Sequence, residues 1–136
     1  MLKFNLEEYK ESTKVINEHR KTAEQVAKIV NNEGYTNIFF TAVGGSLAPM
    51  MALGEMAKQL TDLPVFVEQA AELLVRQNKA LNKDSIVITM SKSGDTKETV
   101  EIANWCKENE IRVICLTKNE ESPLAQASKF VVPMKH

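Results

Sequence analysis

Between residues 90 and 99 the chain reads Met90-Ser91-Lys92-Ser93-Gly94-Asp95-Thr96-Lys97-Glu98-Thr99, four hydroxyl side chains, one glycine and two lysines in ten positions. That chemistry suits a phosphate group. The apolar run Ile86-Val87-Ile88-Thr89-Met90 precedes it and a helical repeat follows, so the segment falls on a strand-to-helix turn. There the first backbone N–H groups of the helix have no intrahelical partner, and the helix dipole adds partial positive charge. Gly94 lets the backbone approach an anion closely, and the hydroxyls of Ser91, Ser93 and Thr96, with Lys92 beside them, complete a cradle that requires no metal. A competing reading has Asp95 or Thr96 simply capping the helix, with Glu98 closing a capping box. Capping accounts for one acidic or hydroxyl residue, but not for Ser91, Ser93 and Gly94 together.

A second glycine-rich loop, Val43-Gly44-Gly45-Ser46, follows an earlier apolar run, and Gly45 and Ser46 are candidates to hold the rest of a ligand. The third glycine of a dinucleotide fingerprint is absent, and no Gly-Lys-Ser/Thr of a P-loop follows. The plainer alternative is a tight turn with Ser46 as helix cap. Among carboxylates, Glu72 is the candidate base, since Glu68-Gln69-Ala70-Ala71-Glu72 follows a strand at the same edge of the sheet. A carboxylate there can move a proton between C1 and C2 of an open-chain sugar, although a solvated or ion-paired helix residue fits the pattern equally well. His19, mid-helix, suits packing or capping, and His136 is terminal.

The elements that must position these residues alternate. Apolar spacing from Asn5 to Glu33 predicts one long N-terminal helix or two abutting ones, ended by Gly34 at a position favouring a left-handed backbone. Strands are expected at Ile38–Val43, Pro64–Val67, Ile86–Met90, Arg112–Leu116 and Phe130–Pro133. Helices are expected at Ser46–Leu60, Ala70–Leu81 and Thr96–Asn109, the last with Val100, Ala103 and Cys106 on one face, and from Ser122-Pro123 onward. Strand–helix alternation implies right-handed crossovers and a doubly wound parallel sheet flanked by helices, with ligands at the C-terminal ends of the strands.

The chain of 136 residues carries 17 Lys and Arg against 18 Asp and Glu, without a basic stripe interleaved with aromatics, which argues against a nucleic-acid partner. No apolar run approaches the roughly 18 residues of a membrane span, and the charged start Met1–Glu8 lacks a signal-peptide apolar region, so a cytoplasmic protein is expected. Cys106 and Cys115, nine positions apart with only His19 and His136 elsewhere, match no metal pattern and read as reduced core thiols.

The two loops, the order of elements and the stretch Ser122-Pro123-Leu124-Ala125-Gln126-Ala127-Ser128 resemble the SIS (sugar isomerase) domain family over about residues 30 to 136, the S-x-S-G-x-T segment being the most specific feature. Within that family the chain is most similar to the fructosamine 6-phosphate deglycases and to the isomerase domain of glucosamine-6-phosphate synthase, which are built from two such domains in tandem. The resemblance implies a five-stranded parallel sheet of flavodoxin-like type, a homodimer, no cofactor, and binding of a phosphorylated sugar or amino sugar. It divides the chain into a helical segment, 1–33, and an SIS domain, 34–136, forming one globular unit.

By position, Ser91, Ser93 and Thr96 match the family's phosphate ligands, with backbone N–H groups around Lys92 and Gly94 assisting, and Ser46 matches a residue contacting the sugar or its phosphate. Lys92 stands where the glucosamine synthases usually have Gln. The catalytic Glu, Lys and His of the tandem enzymes lie in the second domain, at its interface or in a C-terminal tail. The stop at His136, just past the last strand, leads to the expectation that a second domain completes the site and that this chain alone turns substrate over poorly. The expected activity is aldose–ketose isomerisation or fructosamine 6-phosphate deglycation. The alternatives are a non-catalytic sugar-phosphate sensor, against which the N-terminal helix lacks a basic recognition face, and a flavodoxin-like FMN carrier.

Overall fold

The computed structural model describes residues 21–76 and 78–134. Within them, α1 (residues 21–33) leads into β1 (Asn37–Ala42), a 3-10 turn (Gly44–Ser46), α2 (Leu47–Leu60), β2 (Val65–Gln69), α3 (Ala70–Arg76), β3 (Ser85–Met90), α4 (Lys97–Glu108), β4 (Arg112–Thr117), α5 (Pro123–Ala127) and β5 (Phe130–Pro133). The five strands form one all-parallel sheet in the order β2-β1-β3-β4-β5. The expected α/β architecture is therefore present. The first part of the expected N-terminal helix, with His19, and residue His136 lie outside the described residues.

β1 is buried along its whole length, as an apolar strand in the middle of a two-faced sheet must be. The register places Phe39, Val87 and Val113 on one face, where α3, α4 and α5 supply Leu73, Ile102, Ala103, Cys106 and Leu124 to the largest core cluster. On the other face, Val26 and Val30 of α1 pack on Ile86 and Val132, and Met50 of α2 packs with Ile38 and Phe40. The buried stripe of α4 is Thr99, Ile102, Ala103 and Cys106, with Val100 only half-buried at its margin. Cys106 and Cys115 are free and buried; burial pushes the Cys106 thiol up to about 12 and raises that of Cys115, so neither is a ready nucleophile.

Several boundaries have local causes. Gly34, at φ +84, donates its N–H to Val30 O and closes α1 as expected. Arg112 then ties that end to β4, donating to Glu33 Oε1 at 3.2 Å and to Gly34 O at 2.9 Å, and its hydrogen bond lowers the Glu33 carboxyl pKa. β2 runs on through Glu68 and Gln69, so these two residues belong to the strand and do not follow it. α3 ends at Arg76, short of the expected Leu81. Asn78 starts a turn instead: its Oδ1 accepts from Ala80 N–H at 2.9 Å and its carbonyl accepts from Leu81 N–H, a side-chain alternative to helical bonding.

Gly54, mid-helix in α2, is where α2 meets β2: a Cβ there would lie 2.4 Å from Val67 Cγ2. Val is stiff at χ1 and cannot swing aside. Gly54→Ala should therefore destabilise the protein by about 1 kcal/mol or more, although Ala favours helix by about 1 kcal/mol over Gly. In a Val67→Ala background the same change should instead stabilise. Denaturant titration of the four proteins in this double-mutant cycle checks both signs.

Candidate functional site

In this strand order β1 and β3 are neighbours, and the chain leaves β1 toward β2 on one side and β3 toward β4 on the other. The topological switch point, where a doubly wound sheet opens a crevice at its C-terminal edge, therefore lies between the loop after β1 and the loop after β3. These are the two loops singled out by composition, Gly44–Ser46 and Ser91–Thr96, and the parallel register running to Thr41 and Thr89 brings them side by side.

The first loop is a single 3-10 turn. Gly44 takes φ +58, Gly44 and Gly45 are exposed, and Ser46 N–H donates to Val43 O at 3.2 Å. Ser46, half-buried, makes no side-chain cap to α2. Its hydroxyl is thus not consumed by the role that the simpler reading assigned to it.

The second loop is built around Ser91. This side chain is 3% exposed; its Oγ accepts from Gly94 N–H at 3.0 Å and lies 2.9 Å from Thr96 Oγ1. Ser91 therefore sits beneath the turn, joining its start to its end. Thr96 occupies the N-cap position of α4 but gives no side-chain cap, since its hydroxyl faces Ser91. The N–H groups of the first turn of α4 are left without a capping side chain, which is the condition for an anion to take that place. Above the turn, Lys92 and Ser93 are exposed, and the Ser93 hydroxyl donates to the Asp95 carboxylate, a surface contact with which an incoming anion would compete.

The loop is braced from behind by the segment joining β4 to α5. Lys118 N–H donates to Lys92 O at 3.1 Å, Thr117 Oγ1 to the same carbonyl at 3.4 Å, and Leu124 N–H to Gly94 O at 3.0 Å. Ser122, 1% exposed, caps α5 by accepting from Ala125 N–H at 3.2 Å. It also fills the space over Gly94: a Cβ there would come within 2.1 Å of Ser122 Oγ and 2.3 Å of Ser122 Cβ. In the sequence Ser122 reads as a helix start and as part of the stretch resembling the SIS family, and Thr117 carries no role. The available signal was a cluster of hydroxyl and Asn residues, Thr117 to Ser122, closing a strand at the same sheet edge.

Glu72 is placed elsewhere. It is exposed on α3 and lines a groove of about 420 Å³ along the outer edge of β2, with Met51, Glu55, Glu68 and Arg76 among its neighbours. β2 is an edge strand separated from β3 by β1, so the geometry brings Ser46, Ser91, Ser93, Gly94 and Thr96 together at the switch point and leaves Glu72 on the flank.

Sequence and fold comparisons place the chain in a family. The SIS domain family model matches residues 16–135, and the chain belongs to that family. It is 35% identical over 79 residues to a glutamine–fructose-6-phosphate aminotransferase (isomerizing) of Caulobacter vibrioides, covering 58% of this chain and 13% of that protein. It is 33% identical over 96 residues to the fructosamine deglycase FrlB of Bacillus subtilis, covering 70% of this chain and 29% of that one. A crystal structure of a proposed phosphosugar isomerase from Bacillus subtilis superposes with a TM-score of 0.70 at 31% identity, over 76% of this chain and 32% of the other. The chain thus spans a third or less of the length of each of these relatives.

Gly94 combines a positive φ of +75 with the close approach of Ser122, so any side chain there is strained twice. Gly94→Ala should cost about 2 kcal/mol or more. Gly45→Ala, whose Cβ would meet nothing within 4 Å, should change stability by roughly 0.5 kcal/mol at most. Thermal unfolding of the two variants side by side measures the contrast.

Proposed function

We propose that the crevice between the Gly44–Ser46 and Ser91–Thr96 loops binds the phosphate of a phosphorylated sugar or amino sugar. The observation that carries this reading is the juxtaposition, at the β1/β3 switch point, of two glycine- and hydroxyl-containing turns with the side-chain-uncapped N-terminus of α4. Ser93, Thr96 and Ser46 supply hydroxyls from the two sides, Lys92 adds positive charge above, and Ser91 holds the turn in shape from below. The relatives named as an isomerizing aminotransferase and a fructosamine deglycase support a phosphorylated ketose or fructosamine as substrate class, with aldose–ketose isomerisation or deglycation as the reaction. Either reaction transfers a proton between C1 and C2 of the open-chain sugar and needs a base within hydrogen-bond reach. The position of Glu72 on the β2 flank favours a second reading, in which the domain binds sugar phosphate as a sensor without chemistry.

Two measurements test the phosphate site and the chemistry in turn. A hexose phosphate near 100 times Kd should stabilise the fold by about 2.7 kcal/mol, a melting shift on the order of 5 to 10 °C, while the unphosphorylated sugar should produce none. Replacing Ser93 and Thr96 together by Ala should remove the shift; equal shifts with sugar and sugar phosphate would sink the phosphate site. Turnover of fructose 6-phosphate, glucosamine 6-phosphate or a fructosamine 6-phosphate by this chain should be far below about 1 per second, the low end for ordinary enzymes. A faster rate that is lost in Glu72→Gln would make Glu72 the base.

We also infer a cytoplasmic homodimer. No helix among the described residues is long and apolar enough to cross a membrane. Met51, Met56 and Leu60 on α2 and Val75 on α3 expose large apolar side chains that a second copy of the chain would cover. Light scattering at micromolar concentration should return about twice the 15.2 kDa chain mass, and a monomer mass would contradict the dimer.

A further inference from the structure

The carbonyls of the Ser91–Thr96 turn are directed by its neighbour, and this determines where the N–H groups of the turn point. In a planar trans peptide the carbonyl of one residue and the N–H of the next lie antiparallel. The carbonyl of Lys92 is held by two donors of the β4–α5 segment, Lys118 N–H at 3.1 Å and Thr117 Oγ1 at 3.4 Å. The N–H of Ser93 therefore points the opposite way, out of the turn, where it has no partner among the described residues. The carbonyl of Gly94 is held by Leu124 N–H at 3.0 Å, so the N–H of Asp95 also points away from the β4–α5 segment, toward the exposed Ser93 hydroxyl at 3.5 Å. The Gly94 N–H between them is consumed by Ser91 Oγ and is unavailable to a ligand.

We propose that Thr117 and the Lys118 and Leu124 amides of the β4–α5 segment are positioning groups for an anion receptor whose backbone donors are the N–H groups of Ser93 and Asp95. The proposal rests on the reading of this turn as a phosphate site and assigns its donor set and the element that aims it. Thr117 is the centre of the brace: it is fully buried, its hydroxyl donates to Lys92 O and accepts from Asn119 N–H at 3.3 Å, and its carbonyl accepts from Met134 N–H at 2.9 Å. One residue thus connects the end of β5, through its carbonyl, with the β4–α5 segment and the turn, through its hydroxyl. Ser122 adds a steric limit, since its hydroxymethyl group occupies the space over Gly94 and blocks that peptide from rotating toward it.

The test is an amide NMR titration of the intact chain with inorganic phosphate and, separately, with glucosamine 6-phosphate. In the wild type the largest ligand-induced shifts should fall on the Ser93 and Asp95 amides, with Gly94 moving less. Thr117→Val, which keeps the shape and removes the hydroxyl, should weaken both ligands on the order of tenfold and displace the Ser93 amide resonance before any ligand is added. Thr117→Ser, which keeps the donor, should bind within about threefold of wild type, the spread expected for a conservative change. A measurement on the wild type stands independently of whether the valine variant folds: saturating phosphate should slow hydrogen exchange of the Lys118 and Leu124 amides more than that of Gly34, at the opposite end of the sheet. If Thr117→Val binds as wild type does, or if Lys118 and Leu124 gain no protection beyond Gly34, the positioning role is overturned while the phosphate site stands. If neither ligand perturbs the turn in the wild type, the phosphate reading fails and this proposal fails with it.

Discussion

A turn that receives an anion through its backbone has to leave N–H groups unpaired while finding partners for every carbonyl that faces the protein interior. An orphaned buried carbonyl costs as much as a lost hydrogen bond, so the site needs a second surface that accepts one half of each peptide and leaves the other half outward. In the proposed site that surface is the segment from Thr117 to Leu124, and the turn it serves is Ser91 to Thr96. The Ser91 hydroxyl closes the turn from inside by joining Gly94 to Thr96. Much else follows from this arrangement: why Gly94 lacks a side chain, why Ser122 is small and buried, and why Thr96 leaves α4 uncapped.

The sheet makes such bracing possible. With β3 between β1 and β4, the turn after β3 has a neighbour on each side: the β4–α5 segment, which holds it, and the Gly44–Ser46 turn, which faces it across the switch point. One neighbour provides rigidity and the other provides the opening. The same strand order occurs in flavodoxin-like proteins, which use the β1/β3 junction for a different ligand, so the order locates a site without choosing what fills it. In the reading proposed above, the hydroxyls and glycines of the two loops make that choice in favour of a phosphate.

The flank of the molecule has a different character. The groove along β2 is lined by Met51 and Val67 as well as by Glu55, Glu68 and Glu72 opposed by Lys58 and Arg76. β2 is the edge strand, and an edge strand of a parallel sheet exposes unpaired backbone groups that proteins generally cover or guard with charge. Glu68 is half-buried and accepts from Asn78 Nδ2 at 3.1 Å, so this carboxylate also holds the turn that ends α3.

By itself the sequence determined the local grammar. Periodicity located the five strands and the helices, Gly34 ended α1, Ser122-Pro123 began α5, and the hydroxyl-rich segment fell on the turn after β3, because each of these is dictated by near neighbours along the chain. The end of α3 escaped it, since the Asn78 side chain competes with the helix and apolar spacing does not register that competition. Only the tertiary structure decided the strand order, and with it that Gly44–Ser46 and Ser91–Thr96 are adjacent while Glu72 stands on the flank. It also decided that Ser91 lies under the turn, and that Thr117 and Ser122 hold residues 92 and 94. The reason is sequence distance: the brace joins positions about 25 to 30 residues apart, and which loops meet depends on how parallel strands pair through their crossovers, for which no short window of sequence carries a signal.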